Sequence, residues 1–296
     1  MGYCSQAYVL GGVSMAIIRD VSDTALWVAV HRAMEGFRPD ALFSDPLSLR
    51  LAGKRGQEIA TKMAGGSFMS WMMAMRTVAI DRMLELAVSN GVSRIVNLGA
   101  GLDTRPYRIR LAASVKWIEV DFPGIIAHKN HLLKSETPHF ELSRWSVDLT
   151  DPGERNKFFE YLRKSDEPTA FLTEGVLLYL ENSEVVDLAE SLHDIPSLKY
   201  WIHDYREGGY ARGVPRLWMK WHMRHAPMKF LVNDWFGFFR TLGWKVKACI
   251  SLEEESQRHG RTVGRPDWLG LLSFLIPEGK MAEYSRQLGI VMLEKA

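Results

Sequence analysis

The run Arg94-Ile-Val-Asn-Leu98 stops abruptly at Gly99-Ala-Gly101. A short apolar run that ends in a glycine turn marks a buried parallel strand, and such a strand requires a crossover and a neighbour to pair with. Lys116-Trp-Ile-Glu-Val-Asp121 is the expected neighbour, with a helix between the two. Further strands are predicted at Trp145–Leu149, Ala170–Glu174 and Lys199–Asp204, separated by helices at Pro152–Arg163 and Asn182–Asp194. Strands that alternate with helices predict an α/β fold built on a doubly wound, mostly parallel sheet.

Upstream the pattern is helical throughout. Asp23 and Thr24 precede Ala25–Glu35 as a plausible cap, Pro39 ends that helix, and Phe43-Ser-Asp-Pro46 turns into a short helix at Leu47–Ala52. A long helix runs from Phe68 to Asn90 and stops at Gly91. No repeat, low-complexity tract or linker interrupts the chain. One domain is therefore expected, with residues 1–91 as a helical N-terminal extension and 92–296 as the α/β core, including an insertion at about 206–239.

Composition excludes several classes. With 47% hydrophobic and 24% charged residues the chain is neither disordered nor fibrous. A net charge of +2 gives no reason to expect nucleic acid or an anionic membrane as partner. Cys4 and Cys249 are too few for a disulfide framework or a thiolate metal site. Val9–Ile18 is broken by Gly11, Gly12 and Ser14 and lacks a basic flank, so it is a poor signal peptide and too short to span a bilayer. The expectation is a soluble cytoplasmic protein without metal, the pairs His128/His131 and His222/His225 reading as helix-surface residues.

In an open parallel sheet, ligands bind beyond the carboxyl ends of the strands. Gly99 and Gly101 let backbone approach a ligand closely, or simply make a tight turn. The third glycine of a dinucleotide fingerprint is replaced by Thr104, which opposes a nicotinamide oxidoreductase. Asp121 follows Gly101 by about 20 residues, the spacing at which an acid reaches ribose hydroxyls, although capping of the next helix also fits. Asp148 and Glu174 stand at the ends of the third and fourth strands. Three carboxylates at successive strand ends are costly to bury unpaired, so a ligand or a solvated rim must account for them.

The strings Val96-Asn-Leu-Gly-Ala-Gly-Leu-Asp-Thr-Arg105, Glu119-Val-Asp-Phe-Pro123 and Thr173-Glu-Gly-Val-Leu-Leu-Tyr-Leu180 resemble the leucine carboxyl methyltransferase family, which includes bacterial O-methyltransferases of polyketides and other small molecules. Arg32-Ala-Met-Glu35, Phe43-Ser-Asp-Pro46 and Arg76-Thr-Val-Ala-Ile-Asp81 support the match, which runs from about Ser22 to about Val246. The resemblance implies a class I, Rossmann-like methyltransferase using S-adenosylmethionine. It implies that Gly99 and Gly101 form the cofactor turn and that Asp121 holds the ribose, with Phe122 beside it. Asp148 and Leu149 would flank the adenine, Arg76 would pair with the cofactor carboxylate, and Glu174 would face its methionyl part. Arg32 stands where the family has a basic cofactor contact, unless it pairs with Glu35. Asp103 and Arg105 are expected to organise the turn.

The acceptor is expected to be a small, aromatic or apolar molecule methylated on a carboxylate or hydroxyl. The alternatives are a protein C-terminus as acceptor and a SAM-binding protein without turnover, and assembly as a homodimer is left open. A hydroxyl would benefit from a base, and His203, Asp204 or Tyr205 after the fifth strand could serve. Val214–Phe239 is dense in Trp, Met and Phe, including Trp218, Trp221, Met228, Phe230, Trp235 and Phe239. That stretch is expected to cap the acceptor site, with Lys220, Arg224, His225 and Lys229 as anchors for an anion.

Overall fold

A computed structural model of the chain describes residues 17–63, 66–112, 114–207, 224–262 and 285–296. Three helices come first: α1 (Val21–Glu35), α2 (Pro46–Lys62) and α3 (Gly66–Ser89). The α1 cap is Asp20, whose side chain accepts the Asp23 amide, so this helix starts four residues before the predicted one. Asp45 caps α2 by accepting from the Ser48 amide, and Pro46 follows at the first helical position. The predicted short helix is thus the first turns of a longer one.

The α/β part consists of β1 (Arg94–Leu98), α4 (Arg105–Arg108), β2 (Lys116–Asp121), α5 (Pro123–Leu132), β3 (Glu141–Ser146), α6 (Pro152–Arg163), β4 (Thr169–Thr173), α7 (Asn182–His193), β5 (Leu198–Arg206), α8 (Trp235–Thr241), β6 (Trp244–Ser251), α9 (Leu252–Arg258) and β7 (Leu288–Lys295). The sheet order is β3-β2-β1-β4-β5-β7-β6. The first five strands pair in parallel, while β7 lies antiparallel to both β5 and β6. Among the described residues no helix is long and apolar enough to cross a membrane.

β1 and β2 match their predicted spans. The third strand lies earlier than expected, at Glu141–Ser146 rather than Trp145–Leu149. It is an edge strand with a half-exposed face, so it lacks the apolar run that reveals a central strand. β6 carries Lys245 and Lys247 on the opposite edge and escaped detection for the same reason.

Period-2 alternation divides the core in two. Val96, Leu98, Phe171, Trp201 and Tyr205 face a cluster shared with α6, α7 and α8. Ile95, Trp117, Leu172 and Ile202 face the other, built on Ala79, Ile80, Met83 and Leu84 of α3. The chain winds from β1 outward to β3 and returns to β4, so the switch in strand order lies between β1 and β4. Ala29, Val30, Leu51 and Ala52 pack on Leu102, which brings α1 and α2 over the turn that leaves β1.

Candidate cofactor site

A cavity of about 360 Å³ opens at that switch point. Gly99 and Gly101 border it with φ of +66° and +48°, the left-handed region that side chains resist. A Cβ on Gly99 would lie 2.5 Å from Val176 Cγ2. The two strand-end loops therefore touch only because position 99 has no side chain.

Asp121 is 8% exposed at the cavity edge. Its Oδ2 accepts the Gly101 amide at 2.6 Å and its Oδ1 accepts the Phe122 amide at 2.7 Å. Burial pushes its carboxyl upward, while the two amides oppose that rise. Each oxygen keeps acceptor capacity beyond its amide. The helix-cap alternative is not what forms, since the N-cap of α5 is Phe122. Phe122, Ile125, Val147 and Leu149 continue the wall as an apolar face.

Asp148 stands differently from expectation. Its Oδ1 takes the amide and hydroxyl of Thr150 at 2.8 and 2.7 Å, closing the turn after β3, and it is Leu149 and Thr150 that border the cavity. The short reach of Asp and its preference for the amide two residues on explain the placement.

The triplet Asp103-Thr104-Arg105 clasps four elements to the turn. Asp103 accepts from Asn97 Nδ2 of β1 at 2.9 Å. Thr104 Oγ1 donates to Asp45 at 2.6 Å, linking the turn to the α2 cap. Arg105 is wholly buried: its Nε donates to Asp81 of α3 at 2.7 Å, and its Nη1 reaches Asp103 at 2.9 Å and Glu174 at 2.6 Å. This agrees with an organising role for Asp103 and Arg105.

Glu174 follows β4 and points to the α3 side, where its Oε1 lies 2.9 Å from Arg76 Nη2. Both residues border the cavity. The Arg105 and Arg76 guanidinium groups overcome the effect of burial and hold the Glu174 carboxyl near 2. Arg32 also borders the cavity, and donates to Ser48 Oγ and the Leu102 carbonyl. Its carboxylate neighbours are Asp45 at 3.4 Å and Asp103 at 3.9 Å, whereas Glu35 instead pairs with Arg261 at 2.7 Å.

His203 and Tyr205 do not join this group. His203 is 0% exposed, its ring 4.9 Å from Trp201 and 4.8 Å from Phe239 between centroids. Burial lowers its pKa to about 4, so it stays neutral. Tyr205 is buried on the same face, its hydroxyl 3.4 Å from the Arg286 carbonyl. Neither is among the described residues that border the cavity, so the structure does not bring the two expected catalytic residues together with Asp121, Arg76 and Glu174. Asp204, of opposite parity, has its Oδ1 on the Gly175 amide at 2.7 Å.

The aromatic cap is corrected in part. Phe230, Trp235 and Phe239 fill the core beneath α8, with Phe236 and Phe238 packed against it. Met228 does border the cavity. Lys229 pairs with Glu181 at 3.2 Å, and Arg224 donates to the His225 ring. Trp218, Met219, Lys220, Trp221 and Met223 lie outside the described residues. Sequence reasoning missed the cavity wall formed by Trp27, Val28, Met69, Met72 and Met73 of α1 and α3. Its signal was the apolar content of the two helices, which read as ordinary core.

A model of the leucine carboxyl methyltransferase family matches residues 25–193. A Streptomyces coelicolor protein named "Putative S-adenosyl-L-methionine-dependent methyltransferase" is 32% identical over 264 residues, covering 80% of this chain and 87% of its own. A Mycobacteroides abscessus protein of the same name is 30% identical over 279 residues, covering 84% and 89%. Two solved structures share the fold with a TM-score of 0.56: a DUF574 family protein of Streptomyces avermitilis (15% identity, 90% of this chain and 97% of the other) and a protein of Thermobifida fusca titled a "putative methyltransferase" (14%, 98% and 99%).

The residues present suit S-adenosylmethionine. Asp121 offers fixed acceptors for ribose hydroxyls, and the glycine turn leaves backbone open to the ligand. Arg76 Nε and Glu174 Oε1 are buried without a hydrogen bond, a charged pair suited to a carboxylate and an ammonium. The chain belongs to the leucine carboxyl methyltransferase family and is an S-adenosylmethionine-dependent methyltransferase of class I fold.

Proposed function

We propose that the protein methylates an oxygen of a small, apolar or aromatic metabolite, and that a carboxylate is the preferred acceptor. S-adenosylmethionine, when bound, supplies a methyl group activated on a sulfonium. What remains for the chain is to align the acceptor and to exclude water.

The observation that carries the reading is the ionic state of the cavity wall. Among the described residues no histidine borders it. Glu174 is held near 2 between two arginines, and Asp121 receives two amides. Tyr179, whose hydroxyl donates to Thr24 Oγ1 at 3.3 Å, has its pKa raised by burial. Glu174 is therefore no base for an alcohol acceptor, and both oxygens of Asp121 are engaged by amides. A carboxylate is already ionised at neutral pH and needs no proton removed. Trp27, Val28, Met69, Met72 and Met73 offer a soft apolar surface for the body of the acceptor.

The test uses methyl-labelled S-adenosylmethionine with paired panels of aromatic carboxylic acids, phenols and C-terminal peptides. Label that mild alkali releases as methanol marks a methyl ester on a carboxylate. Alkali-stable label would instead mark an ether on a hydroxyl. Transfer to peptides alone would overturn the small-molecule reading in favour of a protein C-terminus.

A further inference from the structure

We infer that Arg105, which does not border the cavity, is a positioning residue for S-adenosylmethionine, its guanidinium holding the Glu174 carboxylate from behind. The inference rests on the reading that Glu174 faces the methionyl part of the cofactor.

Glu174 has one oxygen toward each of two guanidinium groups. Oε1 meets Arg76, which borders the cavity, and Oε2 meets Arg105 Nη1 at 2.6 Å from the protein interior. These two contacts differ in kind. Arg76 is the residue expected to pair with the cofactor carboxylate, so it serves two anions. Arg105 is fully buried and serves only the protein.

The interior contact is itself braced. Asp81 accepts Arg105 Nε and also both terminal nitrogens of Arg108, at 2.6 and 3.1 Å. Asp103 accepts Arg105 Nη1 with one oxygen and the Arg105 amide with the other, at 2.9 and 3.0 Å. Asp103 is fixed in turn by Asn97. The planar guanidinium is thus held at Nε and at Nη1, and Nη1 also projects a hydrogen bond at Glu174. An ammonium group at this position would remain cationic but could not reproduce the fork.

Other charged groups around Glu174 have been assigned by the same geometry. Arg32 arrives from α1 but is bound to Ser48 and Leu102. Asp204 arrives from β5 and holds the Gly175 amide, the residue after Glu174. Among the described residues only Arg76 and Arg105 touch the carboxylate. Loss of Arg105 removes the larger of the two direct counter-charges on Glu174, and Asp103 loses its main counter-charge, so the Glu174 carboxyl moves up toward the ordinary range.

Calorimetric titration with S-adenosylmethionine tests this on the wild type, Arg105→Lys, Arg105→Met, Glu174→Gln and the double variant Arg105→Lys/Glu174→Gln. Arg105→Lys should bind about 10-fold more weakly, the order expected for one charge-assisted hydrogen bond. Arg105→Met should lose more, and its affinity should fall about twofold further between about pH 6 and about pH 4.5 than the wild type's does, because Glu174 then titrates near the ordinary carboxylate range. In the Glu174→Gln background, Arg105→Lys should cost less than about twofold, since its route of action is already gone. An equal loss in both backgrounds, or unchanged binding in Arg105→Met, would overturn the inference. Should Arg105→Met fail to fold by its thermal melt, the lysine cycle decides alone. A wild type that does not bind S-adenosylmethionine at all would instead fell the cofactor reading on which the inference rests.

Discussion

β4 and β5 lie side by side, and each sends a polar residue to the cavity, Glu174 just beyond β4 and Arg206 at the end of β5, yet His203 and Tyr205 of β5 stay out of it. The register pairs Thr173 with His203, so Glu174 and Asp204 come next on one side of the sheet while His203 and Tyr205 occupy the other. On the α3 side Glu174 meets Arg76 and Arg105. On the α8 side His203 meets Trp201, Trp235 and Phe239. A carboxylate among arginines stays charged and available to a ligand, whereas an imidazole among aromatic rings stays neutral and sealed. Adjacent positions at a strand end thus acquire opposite roles from side-chain parity alone.

The largest effect should appear at the residue that anchors the open side. Asp121→Ala should weaken S-adenosylmethionine binding at least about 150-fold by calorimetry, since two charge-assisted hydrogen bonds are worth roughly 1.5–3 kcal/mol each. A loss under about fivefold would remove Asp121 from the site.

The sealed side should instead show in acid stability. His203 has its folded pKa depressed to about 4 against an ordinary 6.5. The unfolded chain therefore takes up the proton first as pH falls. The stability penalty begins near pH 6.5 and is complete by about 4, when it reaches about 3 kcal/mol at 1.36 kcal/mol per pH unit. His31, buried and likewise near 4, adds a second such contribution. His203→Phe should flatten its share of the acid loss in chemical denaturation while methyl transfer stays within about threefold. A rate loss of about 100-fold or more would restore His203 to the reaction and break the comparison.

Glu174→Gln should follow, with S-adenosylmethionine binding weaker by roughly 20-fold through loss of one anionic partner for the cofactor ammonium. Smallest of all, Tyr205→Phe removes a 3.4 Å contact to the Arg286 carbonyl and a hydrogen bond with the Cys249 thiol. It should change stability by less than about 1 kcal/mol and leave binding unaltered.

Much of this was legible in the sequence because the physics was local. The apolar runs of β1 and β2 show their limits directly, and the glycine turn and Asp121 meet through a spacing along the chain. Asp148 fell short because a turn two residues long decided its partner. His203 and Tyr205 were read by their order in the chain, although counting alternate positions from Trp201 would have placed them on the aromatic face. The methionine wall and the Arg105 clasp depend on α3 crossing the sheet, a contact between segments distant in sequence. Neither β6 nor β7 stood out. An edge strand and a strand inserted antiparallel lack the pattern that marked the others.

The most direct measurement is a crystal structure of the complex with S-adenosylhomocysteine. The account predicts ribose hydroxyls on the Asp121 carboxylate, the adenine against the Phe122 and Leu149 wall, and the amino acid end between Arg76 and Glu174. A nucleoside seated against the β5–α8 face, with Asp121 and Glu174 untouched, would contradict it.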